Sequence, residues 1–409
     1  MKKKYLLFLF PFYLYAQDLN ELIELSLNNQ LIKSSSYNVE SSKKQYESVQ
    51  GTYLPKVTIG ATYSNASQET ITTPSSSTVG YANINMTLYD GGAKGHRYNS
   101  LKSNIKNSEQ NLESLKNSIS LQVINYYFNY LSLLSAKDAK QKEIETLNAQ
   151  EKRLQKFLEA GTTTSDEVDK IISRVQIANV TLHEIELQIQ TILHNLEYLT
   201  LQNVNISKGS NIKEFLTSDE TLRADIKALE YQMDSVLANA KASGSSNYPM
   251  VSLDNTYYSY EMDYDNQTWQ SGAIDSQNIL KISFAWKLFD FGATNKAEQS
   301  VYKQYLALKS KYEYEKNKAS VDLKLALKSY EIAKLKITSA NAGLDAANST
   351  YDTIEVKYQN GLVENVTYLE ALSEKYNAIS VLKSAKYDLE IKKANIIYHS
   401  GKNLWEYIK

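Results

Sequence analysis

The chain is written twice. Leu88-Tyr89-Asp90-Gly91-Gly92-Ala93 recurs 200 residues later as Leu288-Phe289-Asp290-Phe291-Gly292-Ala293, and Gly161 recurs as Gly361 at the same offset. An earlier pair, Tyr53-Leu54-Pro55-Lys56-Val57 and Asn247-Tyr248-Pro249-Met250-Val251, recurs at an offset of 194. Both halves keep one order: helix, proline, strand, loop, strand, Asp-x-Gly, very long helix, glycine, helix. A repeat of this size limits the architecture before any single residue is considered. It favours a tube or a wall over a pocket. The boundaries predicted are a first repeat over 17–210, with a hairpin at 53–89 and helices at 93–160 and 165–202. A second repeat covers 211–409, with a hairpin at 248–289 and helices at 293–360 and 365–402.

The start of the chain sets the compartment. Lys2-Lys3-Lys4 precede an apolar, aromatic stretch from Tyr5 to Tyr15, and Leu14-Tyr15-Ala16 suits cleavage before Gln17. Residues 1–16 read as a secretory signal peptide, too short to span a bilayer. With no cysteine in the chain, disulfides, thiolate metal sites and lipid attachment at a cysteine are all excluded. The formal charge is −1, and removing the three lysines of the signal leaves −4, which is no nucleic-acid footprint. No later segment is long and apolar enough to cross a membrane as a helix, so any crossing is made by strands.

The helices are longer than one globular core can cover. Between Gly95 and Gly161 there is neither proline nor glycine. About 68 residues from Gly92 to Ala160 would extend roughly 100 Å. A heptad line runs through Ile105, Leu112, Ile119, Tyr126, Leu133, Lys140, Leu147 and Leu154. The next helix carries a cleaner three-four seam: Val168, Ile171, Val175, Ala178, Leu182, Ile185, Ile189, Ile192, Leu196 and Leu199. In the second half the seam alternates large and small: Leu323, Ala326, Tyr330, Ala333, Ile337, Ala340, Leu344, Ala347, Tyr351, Ile354, Tyr358. Alanine at alternate positions lets helix axes approach, with Ala340 and Ala347 expected at close contacts. A helix from Leu19 to Gln50 plus one from Ser165 to Thr200 matches the long helix in length, as Asp219–Ala242 plus Asn365–Ser400 nearly matches the second. Two short helices stacked end to end can therefore lie along one long helix. An ordinary coiled-coil hairpin fits the spacing as well.

The strands have period two. Val57, Ile59, Ala61 and Tyr63 alternate with polar residues, as do Ala82, Ile84, Met86 and Leu88. Val251, Leu253 and Tyr257, then Ile282, Phe284, Trp286 and Leu288, repeat the pattern. Polar loops at 67–77 and 264–276 join each pair. Ten-residue strands cross a bilayer when tilted. Four cannot close a barrel, and open edges are not tolerated in hydrocarbon. Three chains would supply twelve. The plainer alternative is a water-soluble four-stranded sheet packed on its own helices.

These features together resemble the TolC family of outer-membrane efflux proteins. The resemblance rests on the signal peptide, the duplicated order, Leu-Tyr-Asp-Gly-Gly (88–92) with its echo Leu-Phe-Asp-Phe-Gly (288–292), Tyr-Leu-Pro (53–55), and the helix turns Leu-Glu-Ala-Gly (158–161) and Tyr-Gln-Asn-Gly (358–361). It covers nearly the whole mature chain. It implies a mixed α+β membrane protein: a homotrimer whose twelve-stranded β-barrel, four strands per chain, continues as a coiled-coil periplasmic tunnel. It implies a place in the outer membrane of a Gram-negative bacterium. It also implies a periplasmic membrane-fusion adaptor and an inner-membrane pump of the RND or ABC type as partners. The function implied is the exit duct of a tripartite efflux or type I secretion system.

The resemblance also implies where gating would lie. Tyr358, three residues before Gly361, falls on the family's gate tyrosine. Glu167, with Asp166 beside it, falls where an acidic partner is expected. Glu370 falls on an aperture carboxylate. Thr367 stands where the second such carboxylate is expected, and Val363 where a gate arginine is expected, so half of the family network is missing. Each residue also has a local reading. Thr164-Ser165-Asp166-Glu167 reads as a capping box. Tyr358 continues the seam, and Glu370 sits one turn into a helix as a solvated group.

Nothing points to catalysis or a cofactor. The four histidines are His96, His183, His194 and His399, and no P-loop, dinucleotide fingerprint or nucleophile elbow is present. The 32 tyrosines divide into candidates for interfacial belts at strand ends and seam filler in the helices. A periplasmic coiled-coil adaptor or scaffold is the alternative function. It is disfavoured because such a protein carries one hairpin and a β-rich block, whereas this chain has two hairpins and none. An adhesin stalk would not need a return helix for every outgoing one.

Overall fold

A computed structural model describes residues 16–215 and 221–409. The expected signal peptide lies almost wholly outside the described residues, as does the start of the helix expected at Asp219. The elements are α1 (Leu19–Leu27), α2 (Gln30–Thr52), β1 (Lys56–Asn65), β2 (Ser76–Asp90), α3 (Ala93–Glu159), α4 (Ser165–Thr200), α5 (Ala224–Gly244), β3 (Met250–Asp263), the short α6 (Gln267–Gln270), β4 (Ser276–Ala285), α7 (Ala293–Gln359) and α8 (Asn365–His399). They form two compact units that do not follow the repeats. Among the described residues, one combines 16–34, 113–215, 221–224 and 316–409, and the other 35–112 and 225–315.

The second of these units contains the sheet. Its order is β1-β2-β3-β4, antiparallel throughout. Alternation sorts the side chains as the period of two requires. Val57, Ile59 and Tyr63 on β1 and Leu280, Ile282 and Phe284 on β4 are between 65% and 80% exposed. The other face is polar: the Asn83 amide donates to Asp254 at 2.8 Å and to Thr256 at 2.7 Å. Where β1 begins beside β2, Asn85 on the same face reaches Asp254 too, at 3.5 Å. The loops beyond the strands are clamped together, the Glu69 carboxylate accepting the backbone N–H groups of Asp265 and Asn266 at 2.8 and 3.1 Å. Small residues join the helices of this unit, as in the 2.8 Å Ser100–Ser235 bond between α3 and α5.

The repeated Asp-x-Gly motif does not fold identically in the two halves. β2 runs to Asp90, with a register shift between Thr87 and Tyr89, because β3 pairs with it on that side. The last predicted strand extends to Leu288, but β4 stops at Ala285, where pairing with Met250 ends. Trp286, Leu288, Phe289 and Phe291 lie exposed beyond it. β4 is an edge strand, and among the described residues no strand pairing continues through 286–289, where the Trp286 indole donates instead to the Asn247 carbonyl at 3.0 Å.

The helical unit has its core where chain segments cross the long helices. Ile119, Val123, Ile124, Tyr127, Phe128 and Leu131 of α3 are buried, with Leu19, Leu22 and Ile23 of α1 and Leu196 of α4. This corrects the register expected for α3, since Tyr126, Leu133, Lys140 and Leu147 are only half-buried. The physical reason is added coverage. The Tyr127 hydroxyl donates to the Ser207 carbonyl, and Asn117 bonds Asn403 and the backbone of Leu404. The linker between the repeats and the end of the chain thus bury a face that heptad counting does not see. Of the ten α4 seam positions, Val168, Ile171, Val175, Ala178, Ile189 and Leu196 are buried, and Leu182, Ile185, Ile192 and Leu199 are half-buried. On α7, Leu323, Ala326, Tyr330, Ala333 and Ala347 are buried, and Leu323, Ala326 and Tyr330 pack on Ile396. Ala340, expected at a close contact, is only half-buried and borders a groove of about 810 Å³ between α7 and α8.

One predicted helix is two. The helix expected from Leu19 to Gln50 breaks at Asn28-Asn29. Asn28 ends α1, and the Asn29 side chain caps α2 by accepting the Ile32 N–H at 2.8 Å. Adjacent asparagines offer the backbone alternative partners and win over helix continuation.

Candidate functional site

The two helix turns are built the same way. Thr162 N–H donates to the Phe157 carbonyl at 2.8 Å and Gly161 N–H to Leu158 at 3.0 Å. Leu362 N–H donates to Lys357 at 2.8 Å and Gly361 N–H to Tyr358 at 3.0 Å. Each pair forms a Schellman motif, which needs a left-handed residue after the helix. Gly161 and Gly361 supply it, with φ of +71° and +73°.

Chemistry separates the turns. At the first, Lys170 bonds Glu167 at 2.8 Å and Asp166 at 3.3 Å along its own helix. A hydrogen bond from Thr164, then Lys170, holds the Asp166 carboxyl below the usual aspartate value, and both carboxylates raise the Lys170 ammonium. Thr164 has the backbone of an N-cap but makes no capping bond, so the capping box read from the sequence does not form.

At the second turn the side chains are aromatic. Tyr358 stacks on Tyr368 of α8, with ring centroids 4.8 Å apart and planes 12° from parallel. The Tyr351 hydroxyl donates to Glu355 at 2.9 Å and meets the Tyr368 hydroxyl at 3.2 Å. The Lys375 ammonium lies 4.2 Å above the Tyr351 ring. The Tyr368 hydrogen bond, then burial and Glu355, push the Tyr351 phenol well above its ordinary range.

The start of α8 is also tied to α3. Arg153 bonds Glu364 at 2.8 Å and lies 4.9 Å above the Phe157 ring. The Glu370 carboxylate accepts from Gln150 at 3.4 Å, and Thr146 donates to the Leu369 carbonyl at 3.2 Å. Within one chain, therefore, Glu370 reaches α3, Tyr358 faces α8, Glu167 pairs with Lys170, and Thr367 is exposed beside Tyr368. Among the described residues, Tyr358 and Glu167 of one chain make no hydrogen bond to each other. Tyr368, Lys375, Arg153 and Glu364 were not singled out in the sequence, and Tyr351 was read only as a seam position. A signal was available: Tyr351 and Lys375 each lie twelve residues from Val363, and Tyr358 and Tyr368 each five, so folding the hairpin at Val363 pairs them. Among the described residues no cluster of three or more His, Cys, Asp or Glu could hold a metal ion, and no helix is long and apolar enough to cross a membrane.

Comparison with known families decides the assignment. The outer membrane efflux protein family model matches residues 22–200 and 220–401. The chain belongs to this family. The two matched segments correspond to the two halves of the duplicated sequence, and the family places the protein in the Gram-negative outer membrane, extending into the periplasm. Solved structures agree on the fold. The CmeC outer membrane channel of Campylobacter jejuni is 20% identical, with a TM-score of 0.81 over 94% of this chain and 86% of that one. The outer membrane protein VceC of Vibrio cholerae is 16% identical, with 0.79 over 94% and 96%. The open state of the MtrE channel of Neisseria gonorrhoeae is 16% identical, with 0.72 over 94% and 89%. A search of curated protein sequences finds no match. As an outer-membrane efflux channel protein, the chain has a natural solvent for its exposed apolar strand face, namely lipid.

Proposed function

We propose that three copies of this chain form the exit duct of a tripartite efflux or type I secretion system. Each copy contributes four strands to a twelve-stranded barrel and its helices to a periplasmic tunnel. A membrane-fusion adaptor and an inner-membrane pump of the RND or ABC type feed it, and substrate passes to the exterior without touching the periplasm. One observation carries the reading. β1 and β4 are edges of an open sheet whose apolar face is exposed. Unpaired backbone in hydrocarbon costs several kcal/mol per group, so the edges need partners that only other copies provide. Mass measurement of detergent-solubilised protein is expected to find three chains. A stable monomer with β1 and β4 amides protected from exchange would refute the assembly.

The helix turns form the gate of this duct in the same reading. Three Glu370 carboxylates converge on the axis with Thr367 one turn away, repelling one another and attracting cations. Tyr358 bonds Glu167 of the neighbouring chain, with Asp166 beside it, and Gly161 and Gly361 form the periplasmic tips. In planar bilayers, Tyr358→Phe is expected to raise conductance and Glu370→Ala to reduce cation preference. Parental behaviour in both variants would mean the gate lies elsewhere.

A further inference from the structure

The second turn holds an aromatic arrangement that the gate reading does not use. Tyr358 is the last seam residue of α7, and its carbonyl is already committed to the turn through Gly361 N–H. The backbone there is set, but a tyrosine side chain on it still has rotamers to choose from. Tyr358 is 37% exposed, so burial alone does not choose one. The Tyr368 ring does, lying parallel to it at 4.8 Å. Tyr368 in turn lies against Tyr351, with ring centroids 5.8 Å apart and hydroxyls 3.2 Å apart, and Tyr351 is held by Glu355 at 2.9 Å and by Lys375 above its ring at 4.2 Å. The contacts form one series, Lys375 and Glu355 to Tyr351, then Tyr368, then Tyr358, leading from the body of the α7–α8 pair to the turn. The corresponding series at the first turn is absent, because Glu151, Leu158, Val168 and Val175 stand at those places.

We propose that Tyr368 is a positioning residue for the gate: its ring holds the Tyr358 ring against α8 and so aims the Tyr358 hydroxyl outward to a neighbouring chain. This rests on the gate reading given above. Loss of the stack frees Tyr358 to rotate and weakens the latch without removing its hydroxyl. The stack needs a ring at 368 and not a hydroxyl: phenylalanine keeps the ring contacts to Tyr358 and Tyr351 and gives up only the hydroxyl contact to Tyr351.

The test is single-channel recording on the full-length assembled protein, with heat-modifiable migration as the check of assembly. Tyr358→Phe reports on the gate reading itself. Tyr368→Ala is expected to raise the fraction of time at high conductance about two- to tenfold, the range set by one aromatic pair. Tyr368→Phe is expected to match the parent, a rescue that bulk packing at an exposed turn does not require. Tyr368→Leu keeps apolar volume without a stacking ring and is expected to behave as the alanine variant, so it decides the matter should alanine fail to assemble. A raised conductance in Tyr358→Phe with parental behaviour in Tyr368→Ala and Tyr368→Leu would overturn the positioning role while leaving the gate. Parental behaviour in Tyr358→Phe and both Tyr368 variants would overturn both.

Discussion

The two helix hairpins share a backbone and differ in nearly everything attached to it. Their turns have the same hydrogen bonds and glycine φ values within 2°. Yet Asp166, Glu167 and Lys170 on the first stand where the second has Val366, Thr367 and Glu370. Leu158 and Val168 face Tyr358 and Tyr368 at equivalent places. The long helices differ too: Tyr126, Leu133, Lys140 and Leu147 of α3 correspond to Ala326, Ala333, Ala340 and Ala347 of α7. The large residues are half-buried, whereas Ala326, Ala333 and Ala347 are buried. A duplicated backbone preserves what hydrogen bonding and φ demand. It leaves each side chain free to serve whichever surface its copy meets.

The comparison breaks most visibly at the alanine seam. Ala333 is 1% exposed, so Ala333→Leu, which copies the residue at 133, is expected to overpack α7 and destabilise by about 1–3 kcal/mol in thermal or guanidinium unfolding. Ala340→Leu, beside the groove, is expected to cost distinctly less. Equal costs would mean that the groove is closed by packing in the assembled protein.

The turns are expected to respond alike to backbone change. Gly161→Ala and Gly361→Ala meet no atom within 4 Å, so only the left-handed conformation opposes them. Each is expected to cost about 1–2 kcal/mol in the same unfolding measurement. A much larger cost at one turn would show that a second chain packs against it.

The smallest effect is electrostatic and confined to the first turn. Asp166 is held below its ordinary value of 3.8 by Thr164 and Lys170. A depressed carboxyl stabilises the fold above its unfolded pKa and stops doing so as pH falls through the folded one. Lys170→Ala is therefore expected to lower the melting temperature slightly at neutral pH, the difference from the parent shrinking as pH drops below 3.8. Salt should shrink it as well, since both partners are exposed. Glu370→Lys, which copies position 170 into the second turn, should not reproduce the pattern, because no Asp or Glu stands at 366 or 367.

The sequence by itself determined the repeat, the strand faces, the α4 and α7 seams and the two glycine turns. Each is a local requirement: period two for a half-buried strand, three-four spacing for a seam, a positive φ after a helix. These repeat along the chain, so they can be read along it. The asparagine break between α1 and α2 has a local cause as well, Asn28-Asn29 competing with the helix, although one unbroken helix was expected from Leu19 to Gln50. Only the tertiary structure decided what depends on a distant neighbour. The buried face of α3 was displaced by the linker at 206–212 and the segment at 403–408, which no heptad count contains. β4 stopped at Ala285 because pairing partners, not its own alternating residues, set its length. Thr164 took the backbone of an N-cap without making the capping bond. The tyrosines at 351, 358 and 368 met because a hairpin brings ends together that sequence order keeps apart. Contacts of that kind depend on how the chain folds back on itself, which is a property of the fold and not of any one segment.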